Sequence, residues 1–388
     1  MNSFTFYNPV KIYFGVGALE NLRQELRKYG ENILLVYGGG SIKRNGIYDE
    51  IWNILKSEDK NIIELSGVMS NPRTTKVDEG VKLAKDYNAN LILAVGGGSV
   101  IDCAKAIATV AAMDDCNQYW ERLFERKEKT YNAIPIGCVV TLPATGSEMN
   151  TDCVITNWEE QLKYSYSSES QYPKFSIMDP QFTYTMPKEQ IIYGSIDILS
   201  HIYEIYFSFP NVNNVSDDLA EALMKNVMQN LELSLENPMD VNARSNLMWD
   251  ATMALNGIIS AGKEEDWMAH KIEHALSAFY DIPHGAGLAV VHPAYLRYIC
   301  KLHPEKFARY ATRVMGCCAK GKTTEELALE GIERTVDFFK KVGAPMRLRD
   351  FRIPKEALNN IASKTLLIKA SYSELTTEDV LEILKSCY

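Results

Sequence analysis

Six histidines occur in the 388 residues, and three of them, His270, His274 and His284, fall within fifteen positions of HKIEHALSAFYDIPHG. A spacing of four puts His270 and His274 on one face of a helix, and Asp197 and His201 in SIDILSH repeat that spacing upstream. His284, between Pro283 and Gly285, marks a loop or the start of a helix. Two helices that each present a pair of ligand atoms can surround a divalent cation inside a helical bundle. Imidazole nitrogens with one carboxylate suit zinc, iron(II), cobalt or nickel, whereas calcium and magnesium take all-oxygen shells. With no thiolate in the set, a catalytic metal with an open position is expected over a structural zinc. Five candidates remain for the ligand set. The competing reading, ordinary polar histidines, is preferred for His292 and His303, which have no partner at ligand spacing.

A second kind of chemistry is carried by glycines. Gly96-Gly97-Gly98-Ser99 follows an apolar β-branched run and opens a helical pattern. Backbone N–H groups at a helix amino terminus are unpaired and sit at the positive end of the dipole, and glycine lets a pyrophosphate approach them. The motif is not G-x-G-x-x-G, so a tight strand-to-helix turn is the rival reading. Gly38-Gly39-Gly40-Ser41 occupies a similar place after ILLVY, with no Asp or Glu between Tyr37 and Gly46 and with Lys43 nearby. An acidic residue at such a strand end holds ribose hydroxyls and disfavours a 2′-phosphate, so its absence points to NADP over NAD. Thr141–Glu148, TLPATGSE, forms a third polar loop at a strand's carboxyl end, where open α/β sheets place their ligands.

The elements that must position these residues fall into two groups. In the first half, ILLVY (33–37), NIIEL (61–65), LILAV (91–95) and AIPIGCVVTLP (133–143) alternate with helical patterns near 46–56, 75–86 and 100–113. Continuous apolar strands separated by helices predict a parallel sheet covered on both faces, a doubly wound Rossmann-like α/β domain. Residues 141–184 mix strand and loop signals. After Met186 the strand runs give way to helical patterns over 191–206, 216–235, 241–261, 267–280, 304–315, 325–342, 355–363 and 378–385. The expected domains are 1–187, α/β and dinucleotide-binding, and 188–388, all-helical, carrying the metal and substrate.

Composition excludes other classes. A length of 388 residues with 46% apolar content supports two cored domains and excludes a largely disordered chain. A net charge of −9 without Lys/Arg blocks argues against nucleic-acid or anionic-membrane partners. No apolar run reaches the roughly 20 residues that span a bilayer, and MNSFTFYNPVKIYFG has no signal-peptide pattern. Eight cysteines without a C-x-x-C pair read as reduced core thiols of a cytoplasmic protein.

Taken together, the motifs resemble the iron-dependent (group III) alcohol dehydrogenases, and within that family the NADPH-dependent butanol dehydrogenase and aldehyde reductase branch. The resemblance runs from Lys11–Gly15 to the last helices. It rests on YGGGSIK (37–43), GGGS-x-x-D-x-x-K (96–105), TLPATGSE (141–148), DPQFTYTMP (179–187), SIDILSH and DWMAH…EH…PHG in family order. The resemblance implies Asp197, His201, His270 and His284 as ligands of Fe²⁺ or Zn²⁺, with His274 beside the substrate. It implies that Gly39 and Ser41 receive the 2′-phosphate of NADP(H), with Lys163 as a further candidate cation and Gly38 as a further coenzyme-binding residue. Asn71, Gly97, Gly98, Ser99, Asp102, Thr141 and Thr145 match positions lining the dinucleotide. It also implies a homodimer and a two-domain plan shared with dehydroquinate synthase.

The expected reaction is hydride transfer between NADP(H) and a simple alcohol or aldehyde in an interdomain cleft, the metal acting as Lewis acid. One carboxylate and three neutral imidazoles would leave the centre with about one net positive charge. His274 is the expected proton relay, since imidazole titrates in the working range. Trp267, Phe279 and Tyr280 are candidates for an apolar wall or for ordinary core. A lyase of the dehydroquinate synthase type is one rival, although the metal segments lack its Lys/Arg phosphate cluster. A metal-dependent hydrolase is another, but it has no use for the glycine loops.

Overall fold

The computed structural model describes residues 1–388. The chain divides into two compact units, one of residues 7–186 with 238–252, the other of residues 1–6, 187–237 and 253–388. The break at Met186/Pro187 adjoins the expected boundary. The segment Pro238–Thr252 and the first six residues are each grouped with the unit remote from them in sequence.

The first unit contains β1 (Lys11–Phe14), α1 (Leu22–Leu26), β2 (Asn32–Tyr37), α2 (Ser41–Arg44), α3 (Ile47–Ser57), β3 (Asn61–Leu65), α4 (Thr74–Asp86), β4 (Leu91–Gly96), α5 (Gly98–Ala111), β5 (Ile136–Val140), β6 (Asp152–Asn157), β7 (Leu162–Ser167) and β8 (Phe175–Met178). Six strands form one parallel sheet in the order β1-β8-β5-β4-β2-β3. Alternation along the strands sends Leu34, Val36, Ile92 and Ala94 to one face, where α4 and α5 bring Val77, Val81, Ile101 and Ile107. Ile33, Leu35, Leu91, Leu93 and Val95 go to the other face, against Leu22 and Leu26 of α1 and Ile51, Ile54 and Leu55 of α3. Both faces are therefore covered, as the continuous apolar strands require. The chain leaves β2 for β3 on one side and then returns to β4 on the other, so the strand order reverses between β2 and β4. Such a reversal is where open α/β sheets bind ligands, and both glycine loops sit at the carboxyl ends of these two strands.

The second unit is helical: α6 (Lys188–Tyr206), α7 (Val215–Glu236), the end of α8 (Val241–Ala254), α9 (Met268–Tyr280), α10 (His284–Ile299), α11 (Pro304–Arg313), α12 (Thr324–Val342), α13 (Leu358–Lys364) and α14 (Thr377–Ser386). Helix α12 opens with a full capping box between Thr323 and Glu326 and closes on Gly343 in the left-handed region.

Three features depart from the sequence reading. Residues 141–184 contain the antiparallel pair β6–β7 as well as β8 of the main sheet. Helix α8 ends at Ala254, short of the expected 261, before Gly257 turns at φ +94°. Helix α10 is absent from the expected set: nearly every residue from Gly285 to Leu296 is buried, so no polar stripe marks it, and Pro293 lies inside it.

Candidate metal centre and coenzyme loops

Helix α6 carries Asp197, His201 and Glu204 at i, i+4 and i+7, one stripe of a helix that is buried over most of its length. Helix α9 carries His270, Glu273 and His274 at i, i+3 and i+4. His284 is the first residue of α10, directly after Pro283 at its cap. The following glycine is required: a Cβ on Gly285 would collide with the backbone carbonyl of Tyr193, so only glycine lets α10 begin against α6.

These elements bring three imidazoles to one carboxylate oxygen. Asp197 Oδ1 lies 3.6 Å from His201 Nε2, 3.8 Å from His270 Nε2 and 3.5 Å from His284 Nε2. Metal bonds of ~2.0–2.2 Å at tetrahedral angles separate neighbouring ligand atoms by ~3.3–3.6 Å. Asp197 Oδ1 and His270 Nε2 are buried and have no hydrogen-bond partner, and leaving such polar atoms unpaired is costly. The donor set therefore fits a divalent cation that prefers mixed nitrogen and oxygen ligands. Burial raises the Asp197 carboxyl, but the imidazoles of His201, His284 and His270 outweigh it and hold it well below the usual carboxylate range. Burial pushes His201 down to about 4, against the pull of Asp197. Burial also lowers His270, yet the nearby Asp197 carboxylate and the bond to Glu204 raise it to about 9.

His274 stands apart from this carboxylate and beside His284, the two ring centroids 5.4 Å apart. Trp267 borders the centre, its ring 5.2 Å from that of His270 and 6.0 Å from that of His201, while Phe279 and Tyr280 are half-buried at the far end of α9. His292 is buried against Tyr203, its imidazole driven down to about 4 by burial, and His303 packs on Phe209 and Tyr372.

Two buried carboxylates that the sequence reading passed over stand behind the imidazoles. Glu204 Oε1 accepts from His270 Nδ1 at 2.9 Å and from the His270 backbone N–H at 3.0 Å, and its Oε2 accepts from the Trp267 N–H. Glu273 bonds His284 Nδ1 through Oε2 and accepts from Ser277 Oγ through Oε1. Both were within reach of the helical spacing, three residues after His201 and His270 respectively. They add two buried carboxylates behind the imidazoles to the one, Asp197, that faces them.

The coenzyme candidates lie in the other unit. Gly97 caps α5 and Gly98 is its first residue. A Cβ on Gly98 would collide with Thr145 Oγ1 and Cγ2, and one on Gly97 would stand 2.9 Å from Leu142 Cβ. The second and third loops are therefore packed together, with the Thr141 N–H donating to Gly96 O at 3.0 Å. Ser99, Thr141 and Thr145 are half-buried there. Asp102 turns both its oxygens to this assembly, accepting from Ser147 Oγ at 2.7 Å and the Val154 N–H at 3.0 Å. Lys105, fully buried, donates to Asn150 O and Oδ1 and to Asp152 O. The Asp of the GGGS-x-x-D-x-x-K motif thus fastens the third loop to α5, and the Lys fastens the residues that follow it, Asn150 and Asp152.

At the first loop, Gly67 and Val68 donate backbone bonds to Gly38 O and Tyr37 O, so the chain toward Asn71 runs alongside Gly38. Asn71, at φ +53°, accepts from Lys163 Nζ at 2.8 Å, and both are buried. Gly39 and Ser41 are exposed, and a Cβ on Gly39 would meet nothing within 4 Å. The structure adds an acid that the local sequence lacks. Glu64 of β3 accepts from the Tyr37 hydroxyl at 2.5 Å and lies 3.4 Å from Lys43 Nζ. Lys43 is thereby paired, and Lys163 is the cation that bonds Asn71.

Comparison with known proteins identifies the family. Residues 9–180 match the family described as iron-containing alcohol dehydrogenase, and residues 191–388 match the carboxyl-terminal domain of the same family. The chain belongs to the iron-containing alcohol dehydrogenases, and it is an oxidoreductase. Among its relatives is the NADH-dependent butanol dehydrogenase A of Clostridium acetobutylicum, 41% identical over 395 residues that cover 100% of both chains. The NADPH-dependent aldehyde reductase YqhD of Escherichia coli is 34% identical over 94% of this chain and 93% of its own. A crystal structure of the NADH-dependent butanol dehydrogenase A of Thermotoga maritima superposes with a TM-score of 0.95 at 42% identity, covering 100% of this chain and 99% of that one.

Proposed function

We propose that this chain transfers a hydride between NADP(H) and a simple primary alcohol or aldehyde, with butanol and butanal as representative substrates. One divalent cation, Fe²⁺ or Zn²⁺, is held by Asp197, His201, His270 and His284. The observation that carries the reading is the convergence of three imidazole nitrogens on Asp197 Oδ1 at 3.5–3.8 Å. Names of relatives support the substrate class, since both butanol dehydrogenases and an aldehyde reductase are among them.

When bound, the cation supplies Lewis acidity toward a substrate oxygen. The rest falls to side chains and backbone. Asp197 and the three imidazoles hold the cation rigidly because α6, α9 and α10 are packed and buried around them. His274, one turn beyond His270 and next to His284, moves the proton between substrate and solvent. Gly97, Gly98 and Ser99 offer the free N–H groups of α5 to the coenzyme diphosphate. Thr141 and Thr145 present hydroxyls beside them, and Asp102 acts by keeping their loop in place.

The finer identity of the coenzyme rests on Gly38, Gly39 and Ser41. The loop carries no carboxylate of its own, although Glu64 pairs with Lys43 there; Gly39 is open, and buried Lys163 bonds Asn71 in the segment that follows Val68 beside Gly38. These features support a 2′-phosphate, and NADH, named for two of the relatives above, is the competing coenzyme. Homodimerisation is part of the proposal, supported by the edge position of β1, which leaves Phe14 and Val16 42% and 60% exposed. No helix is long and apolar enough to cross a membrane. All eight cysteines are free thiols, which supports the reducing environment of the cytoplasm.

Initial rates with butanal and either coenzyme, on protein of measured metal content, test this reading. A higher kcat/KM with NADPH, proportional to metal content, is expected. A preference for NADH would overturn the phosphate assignment alone, whereas full turnover by metal-free protein would overturn the metal centre.

A further inference from the structure

The three imidazoles around Asp197 are not held alike. His201 Nδ1 is buried without a hydrogen-bond partner. His270 Nδ1 rests on Glu204, which also accepts two backbone N–H groups at the start of α9 and so has a structural task of its own. Glu273 bonds side chains, one of them a ligand imidazole. Its two oxygens are taken by Ser277 Oγ and His284 Nδ1, and the residue is fully buried. Helix α10 is notched to admit it: a Cβ on Gly287 would stand 2.8 Å from Glu273 Cγ and 2.9 Å from its Oε1.

His284 is the imidazole with the greatest need for such a hold. It begins a helix instead of lying within one, and its side chain is 23% exposed against 6% and 5% for His201 and His270. An imidazole that donates from Nδ1 to a carboxylate presents a proton-free Nε2 on its opposite side. That Nε2 is the atom 3.5 Å from Asp197 Oδ1. A carboxylate behind the ring also makes the free nitrogen a better electron donor, and outer partners of this kind usually matter ~10–100-fold in metal affinity.

We propose that Glu273 is a positioning residue for the metal centre, fixing the ring and tautomer of His284 and strengthening its hold on the cation. The inference rests on the reading of Asp197, His201, His270 and His284 as the ligands. A rival assignment exists on the same atoms, because Glu273, His274 and His284 themselves offer ligand atoms within 4.8 Å of one another. Direct ligation by Glu273 is disfavoured because its oxygens are both already engaged, one of them on the very nitrogen a second ion would need.

The test is a titration of metal-stripped full-length protein with Co²⁺ or Zn²⁺ against a chromophoric chelator, for wild type, Glu273→Gln, Glu273→Ala and His270→Ala. One ion per chain is expected in wild type, with affinity ~10-fold weaker in Glu273→Gln and up to ~100-fold weaker in Glu273→Ala. The Co²⁺ absorption spectrum should change in both, while the melting temperature of metal-free Glu273→Gln stays near that of wild type. Should Glu273→Ala fail to fold, the isosteric Gln variant decides. Wild-type affinity in the Glu273 variants, with His270→Ala unable to bind, would overturn the positioning role and leave the metal reading standing. Wild-type affinity in His270→Ala would overturn the metal reading and the role of Glu273 with it. Two ions in wild type and one in Glu273→Ala would make Glu273 a ligand and overturn the positioning role.

Discussion

The imidazole centre and the glycine loops solve opposite problems with opposite means. The centre concentrates charge in a dry interior and is built from side chains, two of its imidazoles backed by carboxylates, so removing one group leaves the others uncompensated. The loops present backbone N–H groups at strand and helix ends, so what matters there is mainly the absence of side chains. The lesson is that sensitivity to substitution should follow chemistry in the first region and free space in the second.

The largest effect should come from the centre. His270→Ala is expected to lose the cation and to lower turnover by at least ~10³-fold, read by metal analysis and steady-state rates. Retained metal would place the ligands elsewhere. In the loops, Gly98→Ala should come next, because its Cβ would collide with Thr145. A strain of ~1–3 kcal/mol there corresponds to roughly a 5- to 150-fold loss of coenzyme affinity with metal content unchanged, measurable by fluorescence titration with NADPH.

Gly39 sharpens the contrast, since it has open space around it. Gly39→Ala should alter binding of either coenzyme less than about threefold. Gly39→Asp, by placing a negative charge beside the proposed 2′-phosphate, should shift the NADPH:NADH ratio of kcat/KM about tenfold or more toward NADH. Equal effects of Ala and Asp would mean that space, not charge, governs that loop.

The smallest effect concerns Asp102, a buried carboxylate serving the loops. Burial lifts its carboxyl to about 6, against the pull of Lys105 and the bonds from Ser147 and Val154. The folded chain then holds this proton more tightly than the unfolded chain does, where the ordinary value is near 3.8. Its contribution to stability is complete below pH 3.8 and is lost as the pH rises through about 6. Denaturant unfolding of wild type and Asp102→Asn at pH 4 and pH 7 should therefore show the variant gaining relative to wild type at the higher pH. The opposite slope would show that the bonds from Ser147 and Val154 outweigh burial.

Much of both regions was legible without coordinates because helical and strand periodicity is local. Asp197–His201 and His270–His274 announce themselves at i, i+4, and β2, β3 and β4 are plain apolar runs. Helix α10 was hidden because burial on all sides erases the polar face by which a helix is recognised. The role of Asp102 was hidden because its partners, Ser147 and Val154, lie 45 and 52 residues away.

Sequence alone determined the α/β and helical halves, the glycine loops at strand ends and the inventory of possible ligands, since each depends on residues a few positions apart. Tertiary structure alone decided that Glu204 and Glu273 back two of the imidazoles and that Glu64 reaches Lys43. Those outcomes depend on where separate helices and strands cross, which packing sets and short-range spacing does not encode.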